Sequence, residues 1–464
     1  MSSHPSPPES VSHTAHRRHR PPPVPIPQPV FGQPIFNEGV ASPDPTHFLI
    51  PHPSDNALFK QLGNTLQTNT VAFPVSRAAV GEVYSLATAY GERGPATIQA
   101  IQHQGKITFH AVGDTGASSG NGYSEEIHVA DQLSSDVLQS LPADRPSFLF
   151  HLGDIVYNFS ESKYYYDQFY EPFRNYPVPI LAIPGNHDSF IIPGTPPEEI
   201  PLAIFSHNFC AQQPEITPEA ASLHRTAMTQ PGVYFTLDAP FVRIIGLFSN
   251  GLEDPGVISS EGGKWPNVSD LQLDYLRAQL QRVHDENYAG AVLIAVHHPP
   301  FSYIPPGGTA SAAAHGGSSA MLRQIDTICQ SVGVYPHAFL SGHAHNYQRY
   351  TRTVTLGGKI RQVPFVVCGS GGHHINPLVR AIQGQPAPEP AFGTNTTYLE
   401  VNPAVQSSGL ILEKYQDTNF GYLRVVVDST HLRIAFHLLD GTGLQQSEFD
   451  VVTVDLATST VVAN

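Results

Sequence analysis

Five short stretches of this chain carry side chains that bind metal or move protons: GDTG (113–116), GDIVY (153–157), GNHD (185–188), VHHP (296–299) and GHAH (342–345). Carboxylate, phenolate, carboxamide and imidazole groups are the oxygen and nitrogen donors that hold iron, zinc and manganese. Each stretch alone says little. A Gly-Asp pair after an apolar run is usually a turn, His187 alone reads as a satisfied core histidine, and GHAH alone as a turn with two exposed imidazoles. Their joint occurrence, each at the end of an apolar run, points to one shared site.

The elements that must position them follow from periodicity. Ile107–Val112 reads as a strand ending at Gly113-Asp114, SFLFHL as a second ending at Gly153-Asp154, and VPILAIP as a third leading to Asn186, His187 and Asp188. AVLIAV stops at His297-His298, and HAFLS stops at His343 to His345. Glu125–Leu141 reads as a helix with Ile127, Ala130, Val137 and Leu141 on one face. Ser269–Glu286 reads as another, with Leu273, Leu276, Leu280 and Val283 as its stripe and Ser269 with Gln272 as a capping box. In open α/β sheets the loops at the carboxyl ends of separate strands converge. Five such ends can therefore share one site.

In this order the stretches resemble the motifs of the calcineurin-like metallophosphoesterases, and within them the purple acid phosphatases, over Lys106 to Tyr350. Most of that superfamily has Asp-x-His in its first motif. Here the motif is Asp114-Thr115-Gly116, and the lost imidazole is matched by Tyr157, as in the purple subgroup's Gly-Asp-x-x-Tyr. The resemblance implies one metal held by Asp114, Tyr157, His345 and a shared Asp154, and a second held by Asp154, Asn186, His297 and His343. Three anionic groups suit iron(III), whereas Asn and two imidazoles suit divalent iron, zinc or manganese.

The resemblance also implies the chemistry: hydrolysis of phosphate monoesters by a metal-bound hydroxide, active at mildly acidic pH. His187 would orient phosphate or protonate the leaving alcohol, with Asp188 supporting its imidazole. The family's His-x-Pro spacing implies His297 as the ligand and leaves His298 as a neighbour near substrate. His315, in the loop GGTASAAAHGGSSA, stands for an additional substrate-contacting histidine. GSGGHH (369–374) resembles a glycine-rich turn near the site, and reads equally as a glycine turn with exposed histidines. The fold so implied is α/β (α+β), a two-sheet ββ sandwich flanked by helices.

Composition sets the frame around this site. Residues 1–45, rich in Pro, Ser and His, read as a disordered arm; 46–105 as an N-terminal extension or accessory layer; and 106–464 as the catalytic domain. In the extension, NALFKQLGNTL reads as a short helix, with ATIQAIQ and KITFHAV as two strands. From Phe392 the tail reads as β structure, including the hairpin GYLRVVVDSTHLRIAFHLL, and is expected to complete a second sheet on the first.

A formal charge of −15, from 24 Lys+Arg and 39 Asp+Glu, disfavours nucleic acid and anionic membranes as partners. The expected partner is a small phosphate ester. Three cysteines at unrelated spacings read as structural thiols. The first thirty residues hold nine prolines and no apolar run, so no secretory signal is read there, and the route to any compartment is open. Oligomeric state is not encoded in any visible pattern. Two other functions compete: a phosphodiesterase with the same metal core, and a scaffold that keeps the fold without catalysis. Scaffolds usually lose ligands, and here all seven ligand positions and His187 are intact.

Overall fold

The five strand ends that carry the motifs are divided between two facing sheets. The computed structural model describes residues 33–36, 58–59, 61–62, 76–80, 83–117, 120–192, 194–196, 199–221, 223–303, 315–378, 381–382, 385–386 and 409–462. One sheet runs in the order β1 (Tyr84–Ser85), β5 (Phe235–Ala239), β6 (Val242–Leu247), β7 (Ala291–Val296), β8 (Ala338–Ser341), β10 (Lys359–Cys368), β9 (Tyr347–Leu356), β13 (Leu410–Gln416). The other runs β17 (Thr460–Val461), β16 (Gln446–Asp455), β15 (His431–Leu439), β14 (Gly421–Asp428), β2 (Lys106–Val112), β3 (Pro146–His151), β4 (Ile180–Ala182). A separate ribbon pairs β11 (Ala381–Ile382) with β12 (Gln385–Pro386).

The centre of each sheet is parallel. β6, β7, β8 and β10 are parallel neighbours, as are β2, β3 and β4. Every residue of β3 and β7 is buried, as expected for parallel strands covered on both faces. Between the sheets, Phe150 of β3 stacks on Phe235 of β5 at 5.9 Å, and Tyr347 of β9 on Phe436 of β15 at 4.0 Å. One apolar cluster, including Phe150, Leu247, Ile294, Leu340 and Val425, joins both sheets. The helix Gly120–Gln139 covers β3 and β14, while Leu271–Asp285 lies on β6 and packs against Ser319–Val332. Among the described residues no helix is long and apolar enough to cross a membrane.

Several expectations need correction. The strand expected at ATIQAIQ lies inside a helix, Gly94–Gln104, with Pro95 in its first turn and Gly105 at φ 74° closing its end. The helix Leu271–Asp285 is not capped by Ser269 and Gln272. Its N-cap is Asp270, and the Gln272 amide instead bonds the backbone N–H and C=O of Phe248. The tail completes the two-sheet sandwich, though by extending sheets that already carry motif strands, with β13 joining the first sheet beside β9. Strand β14 pairs antiparallel with β2, Val425 opposite Phe109, so β14 to β17 extend the sheet of β2 to β4.

The extension joins the body through β1, which pairs with β5. Of the arm, Gln33–Phe36 is described: Phe36 is buried, and Arg225 donates to its carbonyl. The rest of the arm, most of the short helix at NALFKQLGNTL and the tail from 392 to 408 lie outside the described residues. Cys329 and Cys368 are buried free thiols and Cys210 is partly exposed.

Candidate metal centre

Each sheet delivers part of the cluster. β2 ends at Asp114, β3 at Asp154 and Tyr157, and β4 at Asn186 and His187; β7 ends at His297 and β8 at His343 and His345. The loops are stitched together by backbone bonds. Gly113 N–H donates to Cys368 O at 3.0 Å, tying one sheet to the other, and Gly342 N–H donates to His297 O at 3.0 Å. Asp114, Asp154 and His343 sit at φ 58°, 55° and 68°, a left-handed conformation costly for these residues and common at functional sites. Gly185 allows the closest approach: a Cβ there would stand 2.1 Å from Asp154 Oδ1.

Two donor groups share Asp154. In the first, Tyr157 Oη lies 3.2 Å from Asp114 Oδ1, 2.9 Å from Asp154 Oδ2 and 3.3 Å from His345 Nε2. His345 Nε2 is in turn 3.3 Å from Asp114 Oδ1. In the second, Asn186 Oδ1 lies 3.1 Å from both His297 Nε2 and His343 Nδ1, and His297 Nε2 is 3.4 Å from Asp154 Oδ2. All seven side chains are buried. The structure thus brings together every residue expected as a ligand.

The donor chemistry fits bound metal cations. Ligand atoms of Asp114, Asp154 and His345 all lie within 4.8 Å of one another, as do those of Asp154, His297 and His343. Burial pushes Asp114 well above the usual carboxylate range, with His297 opposing and Asp154 reinforcing the rise. Burial and the charges of Asp154 and Asp114 push the Tyr157 phenol far up. Burial, then the neighbouring imidazoles, keep His343 and His345 neutral, which leaves each a free lone pair. Burial would lower His297 too, but the Asp154 charge and their hydrogen bond outweigh it and hold His297 at about 9. A crowd of acids and neutral imidazoles of this kind calls for positive charge at its centre.

Around the cluster the expected roles divide. His187 is nearly buried, its Nδ1 2.9 Å from Asn158 O and its ring 4.4 Å from that of Tyr157. Asp188 does not serve that imidazole. Its carboxylate accepts from the N–H groups of Ile155, Val156 and Gly185, so it braces the loop that carries Asp154 and Tyr157. His298 is fully buried, with Nδ1 2.6 Å from Ser249 Oγ and Nε2 2.9 Å from Leu252 O, and its ring lies 4.1 Å from that of His343. His315 does reach the cluster, its ring 4.4 Å from His343 and 4.9 Å from His345.

Three further residues reach the cluster that were not expected as ligands. His373 stacks on Tyr157 at 3.5 Å, His374 Nε2 lies 3.2 Å from His345 Nδ1, and Glu253 accepts from Asn186 Nδ2 at 3.1 Å. The histidines follow β10, a further strand ending at this rim, so the GSGGHH turn was the available clue. The geometry also accounts for the missing first-motif imidazole. A Cβ on Gly116 would lie 2.3 Å from Ile155 O and 2.7 Å from Gln168 Oε1, so the loop leading to Tyr157 occupies that space.

The family model of the calcineurin-like phosphoesterases matches residues 107–347. That is more than half of the chain, and the chain belongs to this family. It is thereby a member of the metal-dependent phosphoester hydrolases, which bind divalent metals and act on small phosphate esters. No curated protein matches the chain significantly. Among solved structures it is similar to PhoD, at 14% identity over 77% of this chain and 72% of that one, with a TM-score of 0.44. It is also similar to GAP50, the anchor in the inner membrane complex of Plasmodium, at 9% identity over 75% and 87%, TM-score 0.42. A single mutant of Vps29 from Entamoeba histolytica matches at 11% identity over 75% and 99%, TM-score 0.26.

Proposed function

We propose that this chain is an acid phosphatase of the purple acid phosphatase type, hydrolysing phosphate monoesters at a dinuclear centre within residues 106–464. The observation that carries the reading is Tyr157 Oη, within 3.3 Å of Asp114, Asp154 and His345 where the first motif has Gly116. Those four residues would hold iron(III), because three of them are anionic when the phenol ionises. Asp154, Asn186, His297 and His343 would hold divalent iron, zinc or manganese. Bound ions supply the charge that draws phosphate, acidifies a water and stabilises the leaving oxygen.

The chain's own residues do the rest. The Asn158 carbonyl can only accept, so His187 keeps its Nδ1 proton and takes up or releases a proton at Nε2. That nitrogen serves as the acid that delivers a proton to the leaving alcohol. His315, whose ring lies 4.4 Å from that of His343 and 4.9 Å from that of His345, contacts the phosphate. The diagnostic experiment compares kcat/KM for p-nitrophenyl phosphate and its bis-ester across pH. Faster monoester turnover with activity below neutrality supports the reading; faster diester turnover, or a profile confined above pH ~8, contradicts it.

A further inference from the structure

Two consecutive acids behind the second donor group carry no recognised motif. Asn186 Nδ2 donates to Glu253 Oε2 at 3.1 Å. A carboxylate only accepts, so this bond fixes the amide with its nitrogen outward and Oδ1 toward His297 and His343. The next residue, Asp254, places Oδ1 3.6 Å from His343 Nε2, the ring nitrogen opposite the one that meets Asn186. His343 Nε2 is buried and has no hydrogen-bond partner among the described residues. When Nδ1 offers its lone pair, the proton must sit on Nε2, and the Asp254 carboxyl group faces it. Both acids follow β6, another strand that ends at the rim of the site.

We infer that Glu253 and Asp254 are positioning residues for the second donor group. Glu253 decides which atom Asn186 presents, and Asp254 decides which nitrogen His343 presents. The inference rests on the ligand sets proposed above and is independent of the monoester reading. Outer partners of this kind govern about 10–100-fold in metal affinity, because they fix both orientation and tautomer.

The test uses the full chain depleted of metal and titrated with zinc, with bound iron counted on the same sample and unfolding temperature recorded. Glu253→Ala and Asp254→Ala are each expected to weaken zinc binding by about 10–100-fold, with iron retained and the unfolding temperature unchanged. Glu253→Gln, whose amide oxygen still accepts from Asn186, is expected to bind zinc nearly as wild type does. Wild-type zinc affinity in Glu253→Ala overturns the inference. So does an equal loss in Glu253→Gln and Glu253→Ala, or loss of both metals with a lowered unfolding temperature. If the unmodified protein binds neither metal, the ligand sets themselves are wrong and the inference falls with them; slow monoester turnover by a fully loaded protein overturns only the phosphatase reading.

Discussion

Tyr157 Oη donates to Asp154 Oδ2 over 2.9 Å, and Asp154 is the one carboxylate common to both donor groups. The phenol can ionise there only against strong positive charge, since burial and the two carboxylates otherwise hold its proton. Tyr157→Phe keeps the packed ring and removes only the oxygen. The variant is expected to fold, to lack the visible charge-transfer band that a tyrosinate bound to iron(III) would give, and to bind iron at least ~10–100-fold more weakly by metal analysis. Unchanged iron content and colour would mean that the phenol is a bystander.

His187 tests a different part of the site. Its Nδ1 is held by Asn158 O and its backbone N–H donates to Asp154 Oδ1 at 2.9 Å, so the side chain can be removed without removing a ligand. His187→Ala should retain both metals and lose about 10²–10⁴-fold in kcat. Steady-state kinetics on metal-assayed protein decide it, and turnover within a few-fold of wild type sinks the proton-delivery role.

Gly185 is a steric control. A methyl there would stand 2.1 Å from Asp154 Oδ1 and 2.5 Å from Asp154 N, and neither can yield without moving the shared carboxylate. Gly185→Ala is expected to lose both metals together. Elemental analysis reads the outcome; loss of one metal alone would contradict the sharing of Asp154.

Acid stability follows from a histidine far from the centre. Burial holds His337 down at about 4 against an ordinary 6.5, and its ring nitrogens lie 3.0 Å from Val292 N and 3.3 Å from Leu456 O. Between those two values the unfolded chain binds a proton that the folded chain refuses. This contribution is therefore lost as pH falls from 6.5 toward 4, by at most about 1.4 kcal/mol per pH unit. Unfolding midpoints of wild type and His337→Asn over that range should diverge in slope, the variant being flatter. Parallel slopes would show that His337 does not set the acid limit.

How far the site was legible depends on where each residue's signal lies. Asp114, Asp154, His297 and His343 announce themselves because apolar runs stop abruptly beside them. The same rule brought His187 and Tyr157 into view. It could not separate neighbours: His298 follows His297 yet has both ring nitrogens held by Ser249 and Leu252, and Asp188 follows His187 yet turns back under β3's loop. Glu253 meets the cluster through one bond to a residue 67 positions away, a distance no local pattern encodes, whereas His374, 29 residues from His345, lies in the GSGGHH turn that the sequence offered. The fold failed to read in the same way at Gly94–Gln104, where a proline start and glycine stop outweighed apparent alternation. Sheet membership of the tail was equally hidden, because pairing of β14 with β2 is set by packing across the whole chain.

The most direct measurement is the visible absorption spectrum of the protein purified in air, with metals counted on the same sample. A purple or pink band with one iron per chain is the predicted result, and it would mark the tyrosinate–iron(III) group of Asp114, Asp154, Tyr157 and His345. A colourless protein fully loaded with zinc or manganese would contradict that assignment and leave the chain as a metallophosphoesterase without an iron site.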